Sequence, residues 1–178
     1  LHTRPYRETS VLVDFFTQES GRITAIVRGV RKARSSYAGL LLPFLPLCVS
    51  FRGKTELLNI TTLESTGTYY SLQNQALFCG LYVNELLYHL LHKHDPYPDL
   101  FTNYQELLLR LQDFSSNATQ QRWALCLFLK KLLQEIGYGV QWNRTVNGDF
   151  VNENASYFFE FGSGFSIAGR QQNPLKRY

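Results

Sequence analysis

The stretch Val11-Leu12-Val13-Asp14-Phe15-Phe16-Thr17-Gln18-Glu19-Ser20-Gly21-Arg22-Ile23-Thr24-Ala25-Ile26-Val27-Arg28 sets the character of the first part of the chain. Val11 to Phe16 is β-branched and aromatic around Asp14, and Arg22 to Arg28 alternates polar with apolar through Ile23, Ala25 and Val27. Side chains of a strand point alternately to its two faces, so this alternation predicts strands with one buried face. Glu19-Ser20-Gly21 supplies the turn between them. Further strands are predicted at residues 1 to 6, Leu45 to Phe51 and Glu56 to Leu63, with a turn at Arg52-Gly53-Lys54. Several short strands with tight turns in about 70 residues predict a small barrel.

Beyond residue 72 the period changes from 2 to 3.6. Leu77, Phe78, Leu81, Leu86, Leu87, Leu90 and Leu91 recur on one side of a helix expected to end near His94, before the break at Asp95-Pro96. Asp99 is expected to cap a second helix carrying Leu100, Phe101, Tyr104, Leu107, Leu108 and Leu111. Asn117 or Thr119 starts a third, through Trp123, Leu127, Phe128, Leu132, Leu133 and Ile136, and Gly137 is placed to end it. Ser156 to Phe161 and Gly164 to Ala168, around Gly162-Ser163, predict a β-hairpin. The expected class is therefore α+β. A small β-barrel occupies residues 1–70, and an α-helical domain with a β-hairpin occupies 71–178.

Composition narrows the function. The 178 residues are 44% hydrophobic and 18% charged, a folded chain rather than a disordered one. The longest apolar stretch, Leu40 to Val49, is broken by Pro43 and Pro46, so no membrane partner is expected. Cys48, Cys79 and Cys126 are too scattered for a disulfide framework or a metal knuckle, which favours a reducing compartment. Met is absent even at position 1, which suggests that the gene product is longer.

The net charge of +4 lies wholly in the first 70 residues, which hold nine Lys/Arg against five Asp/Glu; the rest hold nine of each. No acid occurs between Glu19 and Glu56, while Arg22, Arg28, Arg31, Lys32, Arg34, Arg52 and Lys54 are basic. Such asymmetry points to a polyanion partner, against the plainer reading of a solvated basic surface. Within it, Arg28-Gly29-Val30-Arg31-Lys32-Ala33-Arg34-Ser35-Ser36-Tyr37 combines flexible cations with backbone and hydroxyl donors, the groups that phosphates need. Tyr37, and also Phe51, are candidate stacking faces for an unpaired base.

Other constellations are weaker. His89, His92 and His94 lie near Cys79 and Asp95, but there is no second pair with metal-ligand spacing, and histidines suit a helix C-terminus for electrostatic reasons alone. The segment from Asn143 lacks the acids of a calcium loop. No GxSxG, Walker, GxGxxG or HExxH pattern appears, so neither an enzyme nor a cofactor or metal is expected. Two alternatives stay open beside a nucleic-acid-binding protein: an OB-like protein-docking module without direct nucleic-acid binding, and a nucleic-acid enzyme with a dispersed metal-assisted site.

One resemblance runs in order along the chain. It comprises Leu1-His2-x-Arg4-Pro5-x-x-Glu8-Thr9-Ser10, Thr17-x-Glu19-x-Gly21-Arg22, Arg28-Gly29-x-Arg31 and Gly39-x-Leu41-x-Pro43-Phe44-x-Pro46-Leu47. Gly80-Leu81-Tyr82-Val83-Asn84-Glu85-Leu86-Leu87 and Ile136-Gly137-Tyr138-Gly139 continue it. The set resembles the bacterial RecO family. The resemblance implies that the barrel of residues 1–70 is an OB-fold-like nucleic-acid-binding domain, followed by a central helical domain, in a recombination mediator of the RecF pathway, cytoplasmic and nucleoid-associated. It implies binding of single- and double-stranded DNA and annealing of complementary strands coated by the single-stranded DNA-binding protein SSB. It also implies loading of RecA together with RecR, with no bond broken. The family's basic OB-fold positions map onto Arg22, Arg28, Arg31 and Arg34. Its groove for the acidic, apolar SSB tail maps onto Leu132, Leu133 and Tyr138, with Arg122, Lys130 or Lys131 as the cation, because Cys126 and Leu127 stand where relatives carry arginines. Some relatives carry a four-cysteine zinc knuckle where residues 143–168 here hold no cysteine, so zinc is not expected.

Overall fold

A computed structural model describes residues 1–31, 35, 37, 39–53, 57–114, 117–160 and 162–168. Strands β1 (His2–Tyr6), β2 (Ser10–Thr17) and β3 (Gly21–Val27) form an antiparallel meander. The chain then crosses over, so that β5 (Leu57–Ser65) pairs parallel to β3 through Thr24–Leu57, Ala25–Leu58 and Ile26–Asn59. Strand β4 (Leu47–Arg52) lies antiparallel on the far side of β5, giving the order β1-β2-β3-β5-β4. This is a five-stranded OB-like arrangement, but among the described residues β1 and β4 do not pair, so the expected barrel is open along that seam. Pro5, which lacks a donor, suits the edge position of β1 at this seam.

The inner face of the sheet is apolar. Val11, Val13, Phe15, Ile23, Ala25, Val27, Leu58 and Leu63 form one buried cluster. The one-residue shift between β4 and β5 lets both Leu58 and Leu63 point inward although they are an odd number of residues apart. Half of the outer face is covered by the helical part, where Phe16 packs edge-on against Phe101 (5.3 Å) and Tyr104 (5.9 Å).

Three helices follow, α1 (Asn74–Leu90), α2 (Pro98–Asp113) and α3 (Ala118–Glu135). Their shared core includes Val83, Leu87, Leu91, Leu100, Leu108, Leu111, Phe128 and Leu132, together with Phe44 reaching in from the loop before β4. Helix α1 stops before the expected His94. The Arg22 side chain donates to the Leu91 carbonyl (Nε to O, 3.0 Å), and the His94 amide donates to the Arg22 carbonyl (3.0 Å). Its buried face is the expected one only in part: Leu87 and Leu91 are buried, and Leu77 and Leu86 pack against the core. It runs Ala76, Gly80, Val83, Asn84, Leu87, whereas Phe78 is 72% exposed and Leu81 and Leu90 also face outward. Close packing explains the shift, since a Cβ at Gly80 would stand 2.9 Å from the Phe44 ring.

Helix α2 begins at Pro98, with Asp99 in its first turn rather than at the cap. Helix α3 is capped by Asn117, whose Oδ1 accepts the Gln120 amide (3.1 Å), and Gly137 follows its end at φ +86°. Trp123, expected on the buried side, is 65% exposed and Leu127 is exposed with it; Gln121 and Ala124 are buried in their place. The hairpin is present as β6 (Tyr157–Glu160) and β7 (Gly164–Ile167). No helix among the described residues is long and apolar enough to cross a membrane.

Candidate nucleic-acid interface

Register places a row of side chains across the outer sheet face, with exposed arginines at its ends and Ile26 buried in its middle. Arg4 pairs with Leu12, Leu12 with Ile26, Ile26 with Asn59, and Asn59 with Arg52, one residue from each strand. Paired residues share a face, so an arginine stands at each end of this row. Arg28, just past β3, joins it by donating from Nη2 to Asn59 Oδ1 (3.0 Å). Beside them Arg31 donates its amide to the Thr9 carbonyl (3.1 Å) and its Nη1 to the Arg7 carbonyl (3.4 Å), and the Arg7 guanidinium lies 5.2 Å from the Tyr6 ring centre. Arg4, Arg7, Arg28, Arg31 and Arg52 are exposed, and among the described residues none of the five has a carboxylate within 4.0 Å. Cations held by neutral partners at a water-exposed surface keep their charge available to phosphates.

The expected residues fall into distinct places. Arg28, Arg31 and Arg52 lie on this face. Lys32, Arg34 and Lys54 fall outside the described residues. Tyr37 is half-buried and packs against the inner apolar cluster, so its ring is engaged in the fold. Arg22 faces the helical part. Its side chain is 13% exposed, with Nη1 3.8 Å from Asp14 Oδ1, Nε on the Leu91 carbonyl and the guanidinium 5.1 Å from the Tyr88 ring centre. Arg22 is thus a tie between the two parts of the molecule and leaves the interface set. Arg4 and Arg7 were missed because the acid-free run starts after them; only the pairing of β1 brings them alongside.

A second surface lies between α2 and α3. It is a groove of about 310 Å³ with Leu107, Ala124, Leu127 and Phe128 as its apolar floor and Arg110, Lys130 and Lys131 among its rim residues. Of the expected tail-binding residues, Lys130 lines this groove, while Arg122, Leu133 and Tyr138 are exposed but do not line it. Leu132, 1% exposed, belongs to the core and cannot touch a partner. That expectation is corrected by the helix phase, since Leu127 rather than Leu132 faces the opening.

Two partly buried tyrosines hold their protons strongly. Burial pushes Tyr97 up to about 12, assisted by its bond to Asp95 Oδ2 (2.8 Å) and that carboxylate's charge. Burial also raises Tyr104, which donates to Asn84 Oδ1 (2.6 Å). Among the described residues no three His, Cys, Asp or Glu side chains gather to hold a metal ion.

Comparison with known proteins bears on both parts of the chain. Residues 1–69 match the family model for the recombination protein O N terminal, and residues 73–177 match that for its C terminal. The DNA repair protein RecO of Methylococcus capsulatus is 41% identical over 98% of this chain and 71% of its own length. That of Haemophilus influenzae is 41% identical over 100% of this chain and 74% of its own length. That of Dechloromonas aromatica is 38% identical over 92% and 67% respectively. With the sheet and the helical part each matched in order, the chain belongs to the RecO family.

Proposed function

We propose that this protein is a DNA repair and recombination mediator that binds single- and double-stranded DNA, anneals complementary SSB-coated strands and, with RecR, assists RecA loading, without cutting or joining any bond. The observation that carries the reading is the outer sheet face, where Arg4, Arg28, Arg31 and Arg52 stand without carboxylate partners among the described residues. Complementary strands repel through their phosphates. A surface that neutralises one strand while the other approaches lowers that repulsion and leaves the base edges free to pair. The row between the arginines is aliphatic and amide rather than aromatic, which suits contact with backbone more than stacking on bases.

The α2–α3 groove supports the partner half of the proposal. An acidic, apolar tail such as that of SSB would place its apolar side chains on Leu127 and Phe128 and its carboxylates near Lys130, Lys131 and Arg110. Holding the coat protein there brings its DNA to the basic face.

The test is annealing of labelled complementary oligonucleotides, with and without SSB, across a salt series. Replacing Arg28, Arg31 and Arg52 with Ala should slow annealing and reduce the slope of log affinity against log salt by about 0.7 to 0.9 for each phosphate no longer neutralised. An unchanged slope would overturn the assignment of these residues. A tail-peptide titration that fails to saturate on the folded protein would remove the groove from the proposal.

A further inference from the structure

The groove between α2 and α3 carries three rim cations and, among the described residues that line it, one acid, Glu106. Glu106 Oε2 lies 3.8 Å from Arg110 Nη2, and both side chains are about half exposed. Residues four apart on a helix stand one above the other, so this pair belongs to α2 itself and does not depend on how α3 packs against it. The acid precedes the cation, which is the orientation a helix favours.

The other two rim cations stand differently. Lys130 Nζ lies 5.9 Å from the Trp142 ring centre, a contact that orients the ammonium without neutralising it. Lys131 has no carboxylate within 4.0 Å among the described residues. Arg110 is therefore the rim cation already matched by a carboxylate, and an acidic ligand reaches it only by taking that carboxylate's place.

We propose that Glu106 is a competitor built into the groove: it holds Arg110 in the free protein, and an acidic, apolar tail gains Arg110 by displacing it. This rests on the tail-binding reading of the groove and adds the residue that tunes it. The exchange is close to balanced, because the guanidinium has one carboxylate partner before and after. The displaced Glu106 stays at the rim and repels the newcomer. Most of the net attraction then comes from the apolar floor around Leu127 and Phe128 and from the unmatched charges of Lys130 and Lys131. The tail is held less tightly than three free cations would hold it, and it leaves faster.

The test is a double-mutant cycle on the whole chain, read by fluorescence anisotropy of a labelled peptide of the SSB tail at low salt. Glu106→Gln should tighten binding about two- to fivefold, and raising the salt should shrink the gain. Arg110→Ala should cost little affinity in the otherwise unaltered protein. In the Glu106→Gln background the same change should cost at least about twofold more, because only there is Arg110 free for the tail. Glu8→Gln removes the same charge from the β1–β2 turn and should leave tail binding unchanged. Glu8, Glu106 and Arg110 are all exposed, so each variant should keep the fold. Tail binding with an Arg110→Ala cost equal in both backgrounds, or unmoved by Glu106→Gln, or shifted as much by Glu8→Gln, overturns the competitor and leaves the groove reading standing. No tail binding by either the unaltered protein or the Glu106→Gln variant overturns both.

Discussion

The Arg22 guanidinium lies over the Tyr88 ring, 5.1 Å from its centre, and joins a strand to a helix 66 positions later in the chain. On its other side it stands 3.8 Å from the Asp14 carboxylate, which is 1% exposed and accepts the Thr24 hydroxyl at 2.6 Å. The second oxygen of Asp14 has no hydrogen-bond partner among the described residues, so the carboxylate depends on these two neighbours.

Removing Arg22 therefore leaves a buried charge uncompensated. Arg22→Ala should cost about 3 to 5 kcal/mol of stability. Arg52→Ala, at an exposed edge position, should leave the urea midpoint nearly unchanged while lowering the salt slope of DNA binding. Urea unfolding and binding titrations on the two variants separate a tie within the fold from a phosphate contact. Equal stability losses would contradict the assignment.

The phase of α1 gives a second contrast. Leu87 is fully buried and Phe78 is 72% exposed. Leu87→Ala should cost about 2 to 5 kcal/mol through the apolar burial removed and the cavity left behind. Phe78→Ala should stay within about 0.5 kcal/mol. Thermal melts of both variants check the helix phase directly.

Gly21 opens β3 at φ +63°, and a Cβ there would overlap the Asp95 carbonyl. Gly21→Ala should be strongly destabilising, because the left-handed backbone alone costs an alanine about 1 to 2 kcal/mol and backbone must move as well. Gly148, also at positive φ but with nothing near its missing Cβ, should tolerate alanine with the conformational cost alone. The difference in melting temperature between the two variants measures the packing component.

Alkaline titration provides a fourth check. Tyr97 is raised from 10.0 to about 12 by burial and by Asp95. A phenol that ionises later when folded contributes stability that is whole below its unfolded value near 10 and lost as pH rises towards 12. Stability should fall across that window, and Tyr97→Phe should flatten the fall. Tyrosinate absorbance should show a late alkaline component that Tyr97→Phe reduces.

The strands, the hairpin and the Asn117 and Gly137 ends of α3 were legible in the sequence because each is a local pattern. Period-two alternation, a capping side chain and a left-handed glycine all act within a few residues. The buried face of α1 was legible only in part. Counting leucines favours Phe78 and Leu81, whereas Phe44, more than 30 residues upstream, selects the small Ala76 and Gly80. Arg22 looked like its basic neighbours, since nothing local announces Asp14 and Leu91 as its partners. Arg28, Arg31 and Arg52 of the candidate interface were visible in an acid-free run, and Arg4 and Arg7 became visible only through strand pairing.

The parallel contact between β3 and β5 imposes an order of assembly. Strands β1 to β3 can zip together through short turns, but residue 57 must travel back to residue 24 before the remaining hairpin of β4 and β5 can dock. Closing so long a loop is entropically slow compared with local pairing. The arginine row draws on both units, so a nascent chain has no complete cationic surface until this late step. On the proposed function, immature copies would compete poorly for nucleic acid.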